Sequence, residues 1–133
     1  MSDKAMLEWK GELLFRGEVD GRELKLDGNR KAGCSPMEAL MLSLAGCMAI
    51  DVVHILGKMR AAPKSVRVHI EGERAATEPK RFTRLRLRFE VAGEKINPAE
   101  VEHALSLSRE KYCSVYHSLR SDIEIDTSYT IRS

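Results

Sequence analysis

Three cysteines stand in the 133 residues, Cys34, Cys47 and Cys113, and thiols are the side chains here best suited to chemistry. Cys47 lies in SPMEALMLSLAGCMAID, in the middle of an apolar helical pattern, and Cys113 lies in REKYCSVYHSL, where a second helical pattern loses its period. Each reads two ways. A thiol on an apolar helix is a small hydrophobe, or it is a nucleophile on a rigid mount. An odd, sparse cysteine count argues against a framework of structural disulfides. Two histidines complicate the picture: His54 follows Cys47 by seven positions and His117 follows Cys113 by four, so a Cys₂His₂ zinc set is conceivable. The spacing matches no known finger, and no metal is expected.

The elements that must position these thiols follow from periodicity. Leu7 and Trp9, Leu13 and Phe15, and Leu24 and Leu26 are apolar pairs at a spacing of two, with Asp20-Gly21 as a turn, so Met6 to Asp27 reads as a hairpin region. After the loop DGNRKAGC, Ser35, Pro36 and Glu38 form a capping box with proline at the first helical position. The helix they open is expected to run to about Arg60 before Pro63, roughly 37 Å, which is long for so small a domain. Val66, Val68 and Ile70, then Phe82 to Val91, alternate with charged residues as two amphipathic strands. NPAE repeats the cap and proline at Asn97 to Glu100 and opens a second helix with Val101, Ala104, Leu105 and Ser108 inward. Ile123, Ile125, Thr127, Tyr129 and Ile131 close the chain as a strand. The order predicts one α+β domain over residues 1–133, antiparallel strands around a long central helix.

Composition narrows the function class. With 22 basic and 20 acidic residues the net charge is +2, which gives no reason to expect a nucleic acid or an anionic membrane as partner. Arg84, Arg86 and Arg88 form a basic stripe without interleaved aromatics, as on a solvated outer face. No signal segment is visible and no uninterrupted apolar run reaches bilayer length, so a cytoplasmic protein is expected.

SPMEALMLSLAGC followed by AIDVVHILGKMR, and then a second helical cysteine in YCSV, resembles the OsmC/Ohr family of osmotically induced and organic-hydroperoxide-resistance proteins. The form EKYCSV resembles its less characterised branch, and the likeness extends over nearly the whole chain. It implies an intertwined homodimer with the long helices at its centre. It also implies a thiol peroxidase: Cys47 attacks an organic peroxide and becomes a sulfenic acid, Cys113 resolves it as a disulfide, and an external dithiol, such as that of a lipoyl protein, reduces the product. No cofactor is implied.

A thiolate needs stabilisation, and the helix dipole fades within one turn whereas Cys47 lies about three turns in. Asp51, four residues on, would oppose ionisation. By the resemblance an arginine of the first hairpin serves instead, and WKGELLFRG points to Arg16, with Arg22 in reserve. Active members carry an acid directly after the proline to hold that arginine; here Met37 stands there and Glu38 comes one place later. Nine residues at 100° put Glu38 about 180° from Cys47, so capping explains it fully. Tyr112 and Tyr116 read as packing and Cys34 as incidental. The departure at Met37 keeps an alternative open, an OsmC-like protein that binds a small hydrophobic or thiol-reactive ligand with little turnover.

Overall fold

The computed structural model describes residues 1–133, and the chain divides into two compact units, Met1–Leu40 and Met41–Ser133. The first is an antiparallel meander of β1 (Met6–Gly11), β2 (Leu14–Val19) and β3 (Arg22–Asp27). Asp20 and Gly21 both take positive φ, 49° and 78°, as the tight turn between β2 and β3 demands. A second turn was not foreseen. Gly11 and Glu12, at φ 117° and 49°, reverse the chain so that Leu13 falls in the turn and β2 begins only at Leu14. Register then sorts the side chains: Leu7, Trp9, Phe15, Leu24 and Leu26 share one face, and Glu8, Arg16, Glu18, Glu23 and Lys25 the other. Asp27 is buried, and its carboxylate accepts the backbone N–H groups of Asn29, Lys31 and Ala32. Those bonds curl the following loop so that Cys34 returns beside Leu26.

The long helix α1 (Pro36–Lys58) starts as the capping box requires: Glu38 N–H donates to Ser35 Oγ at 3.2 Å, and Ser35 N–H to Glu38 Oε1 at 2.8 Å. It ends two residues short of the expected Arg60. Arg60 adopts φ 60°, Ala61 N–H reaches Leu56 O at 2.9 Å, and Arg60 N–H reaches Gly57 O at 3.2 Å. This is a Schellman stop. Leu44, Met48, Val52 and Leu56, four residues apart, have no exposed surface and belong to the core. The opposite stripe is apolar too but open, with Leu42 58%, Ile50 70% and Val53 47% exposed. The helix is long and apolar enough to cross a membrane by length and composition, with a mean hydropathy of 2.0 over an 18-residue stretch of it. Ser43, Asp51 and His54 interrupt it, so no uninterrupted apolar run is as long as the helix itself. Its buried stripe is used by the protein's own core.

The second sheet has the order β4 (Ser65–Arg74), β5 (Phe82–Ala92), β6 (Glu124–Arg132). β4 and β5 pair antiparallel, whereas β5 and β6 pair parallel, so the intervening helices form a crossover. Leu85, Leu87, Phe89 and Val91 are buried on its inner side. Gly72 is required there, because a Cβ would lie 2.5 Å from the Phe82 ring. On the outer side every arginine of the stripe is paired: Arg84 with Asp126, Arg86 with Glu71 and Glu73, and Arg88 with Glu90.

The crossover carries the last site element. α2 (Pro98–Leu107) opens on the Asn97–Glu100 capping box and contributes Val101, Ala104 and Leu105 to the core. It then widens into a π-helical turn, Ser108–Tyr112, before a short helix α3 (Ser114–Ser118). Cys113 stands at the junction. The loss of helical period around Cys113 thus marks a break between two helical segments, in the form of a π turn that the sequence pattern did not announce.

Candidate functional site

Cys47 and Cys113 both lie in the Met41–Ser133 unit, and their thiols are close neighbours. Neither is in a disulfide. The two differ in environment. Cys47, halfway along α1, is partly exposed, whereas Cys113 has no accessible surface. A helix and a helix junction thus bring together two residues 66 positions apart.

The Cys113 junction is held from several sides. Its N–H donates to Ser108 O at 2.8 Å, the bond that closes the π turn, and its Sγ caps α3 by accepting Tyr116 N–H at 3.3 Å. Ser108, itself fully buried, donates from Oγ to Asp51 Oδ2 at 2.8 Å and so ties the turn to α1. Arg109 Nη1 donates to Thr127 Oγ1 at 3.1 Å, tying the same turn to β6. Burial pushes the Cys113 thiol up to about 12; the Tyr116 N–H opposes this, while nearby Cys47 and Asp51 add to it. Cys113 therefore keeps its proton at neutral pH. Asp51 opposes thiol ionisation, as anticipated, but does so at Cys113.

The other sequence candidates fall as follows. Arg16 lies in the Met1–Leu40 unit, on the charged face of the meander. Its guanidinium is ringed by Glu23 at 2.8 Å, Glu18 at 3.0 Å and Glu8 at 3.6 Å. Hydrogen bonds to Glu18 and Glu23 raise its pKa above the ordinary arginine value. Arg22 is exposed at the β2–β3 turn, 3.5 Å from Asp20. Glu38 is committed to its capping box, with Arg30 at 3.9 Å, and its pKa is lowered chiefly by the Ser35 N–H. His117 Nε2 lies 2.8 Å from Arg109 O, and His54 is exposed. Nowhere do three or more His, Cys, Asp or Glu side chains gather as a metal set. A concavity of about 400 Å³ on the second sheet, lined by His69, Glu71, Arg86, Arg88 and Asp126 among others, includes neither thiol. Sequence reasoning missed the Asp51–Ser108 bond. Its only signal was Asp51 sharing the Cys47 stripe, together with a serine on an otherwise apolar inner face.

Two small sheets, a long helix and a pair of facing thiols define a recognisable class. The OsmC-like protein model matches residues 27–128, and the chain belongs to the OsmC family. Among its relatives is protein YhfA of Escherichia coli strain K12, 38% identical over 130 residues that span 96% of this chain and 97% of YhfA. A hypothetical protein from Aquifex aeolicus VF5 superposes with a TM-score of 0.91 at 28% identity, covering 99% of this chain and 97% of its own. An organic hydroperoxide resistance protein OsmC from Legionella pneumophila shares the fold at a TM-score of 0.68 and 19% identity, over 98% and 97% of the two chains. Membership of the OsmC/Ohr family suggests a redox or peroxide-related function.

Proposed function

We propose that this chain is a thiol-dependent hydroperoxide reductase, a single OsmC-like domain acting in the cytoplasm on organic peroxides. The observation that carries the reading is the pairing of a partly exposed thiol, Cys47, with a fully buried and protonated one, Cys113. The accessible sulfur is the one to meet a peroxide. Its thiolate attacks the peroxide oxygen, the O–O bond breaks, and the alkoxide leaves with a proton as the alcohol, giving the Cys47 sulfenic acid. Cys113 then attacks that sulfur, forming the disulfide while its proton and the sulfenic hydroxyl depart as water. A small external dithiol restores both thiols and is itself oxidised.

In this reading Arg16 activates Cys47, and Glu18 and Glu23 do the orienting that Met37 leaves undone. Their short bonds to Arg16 support that substitution of roles. The working form is a homodimer. Exposed Leu42, Ile50 and Val53 on α1, and exposed Leu7, Trp9 and Leu24 on the first sheet, are apolar surfaces of the kind that a second copy covers.

The deciding experiment is peroxide consumption by wild type and Cys47→Ser, with cumene hydroperoxide and hydrogen peroxide as substrates and dihydrolipoamide as reductant. Turnover faster on the organic peroxide and abolished in the variant is expected. Wild-type turnover no greater than that of the variant overturns the reading, and leaves binding of a hydrophobic or thiol-reactive ligand as the use of the fold.

A further inference from the structure

We propose that Asp51 and Ser108 are positioning residues that hold the resolving thiol against Cys47. The proposal rests on the reading of Cys47 and Cys113 as the reacting pair. One bond joins two pieces of chain here, since Ser108 Oγ donates to Asp51 Oδ2 at 2.8 Å. Each end is linked through the backbone to one of the two cysteines. Asp51 is four residues after Cys47 on the same helix, and so on the same stripe. Ser108 begins the π turn, and its carbonyl accepts the Cys113 N–H at 2.8 Å. The path from one sulfur to the other thus runs through a single turn of α1, one carboxylate–hydroxyl bond and one π-helical turn.

The location of the bond argues that it does more than hold the fold. Ser108 is fully buried, and none of its polar atoms is idle: its N–H donates to Ala104 O and Leu105 O, the hydroxyl serves Asp51 and the carbonyl serves Cys113. A carboxylate beside a thiol pair disfavours a premature thiolate on Cys113, so the resolving sulfur waits as a thiol until Cys47 is oxidised. The groups facing Cys113 are Cys47 and Asp51 on α1 and the Tyr116 N–H on α3. When Cys113 attacks the sulfenic acid, its proton leaves with the hydroxyl as water, so Asp51 need take none.

The test uses the full chain in a Cys34→Ser background and needs no peroxide. The Cys47–Cys113 disulfide is equilibrated against dithiothreitol, which gives the effective concentration of the pair. Ser108→Ala is expected to lower that value about tenfold, the size of one lost hydrogen bond to a charged group. In a further Cys47→Ser background, the ultraviolet absorbance of the Cys113 thiolate is followed against pH, and Asp51→Asn is expected to move its appearance to lower pH. A wild-type effective concentration in folded Ser108→Ala overturns the proposal. So does an unmoved thiolate titration in Asp51→Asn, which decides the matter should Ser108→Ala fail to fold. Because neither measurement involves peroxide, a failed peroxidase assay and a failed positioning role are separately visible.

Discussion

Alkaline pH is expected to unfold this protein through one buried thiol, and removing that thiol should flatten the response. Cys113 is raised from an ordinary 9.0 to about 12, mainly by burial. Between those values the unfolded chain has released a proton that the folded chain still holds. Stability is therefore intact below the lower value and falls as pH rises toward the upper one, by ~1.4 kcal/mol per pH unit. The full interval corresponds to roughly 4 kcal/mol, a large share of the stability of a small domain. Cys113→Ala has no such proton, while the tyrosines and lysines that also titrate are common to both proteins. Urea denaturation of reduced wild type and Cys113→Ala at about pH 9 and about pH 10.5, at one protein concentration, isolates the difference. Wild type should lose about 1.6 kcal/mol more than the variant over that span. Equal losses would refute the argument that burial holds Cys113 in its neutral form.

Three further outcomes follow from local geometry. Ser35→Ala removes the hydroxyl that accepts Glu38 N–H and should destabilise the chain by about 1 kcal/mol in thermal or urea unfolding. Gly72→Ala forces a methyl against the Phe82 ring and should cost about 1 to 3 kcal/mol, read as a lowered Tm. The Asp27 carboxyl is held below its ordinary value, chiefly by the Ala32 and Asn29 N–H groups, so its contribution is present above that value and lost as pH falls through the lowered one. The protection factor of the Ala32 amide, its exchange rate measured relative to the intrinsic rate at each pH, should fall on acidification in wild type and should already be low at neutral pH in Asp27→Ala.

What the sequence revealed was mostly what is decided within a few residues. Ser35 with Glu38 and Asn97 with Glu100 announce both helix starts, because a cap is a bond between neighbours in the chain. The strands over 65–74 and 82–92 are equally plain from strict alternation. The Gly11–Glu12 turn was not, since a glycine followed by glutamate is a weak turn signal and Leu13 continues the period of two across it. The end of α1 depended on Arg60 entering the left-handed region, a conformation its residue type does not favour. Parallel pairing of β5 with β6 is a choice between distant segments. The meeting of Cys47 and Cys113 belongs to the same category: their chemistry was suggested by family resemblance, and no periodicity predicted that the two sulfurs would face each other.

The π turn at Ser108–Tyr112 sets an angular phase. In an α-helix each residue advances 100°, so one residue more or less rotates everything beyond it by that amount around the axis. Deleting Lys111 alone would let α2 close with ordinary four-residue bonds, a locally better helix, while swinging the Cys113 side chain about a quarter turn away from α1. The cysteine would remain in the sequence and lose its partner in space. At this position the number of residues between Ser108 and Cys113 matters as much as their identity, and an insertion or deletion there should be far more damaging than most substitutions.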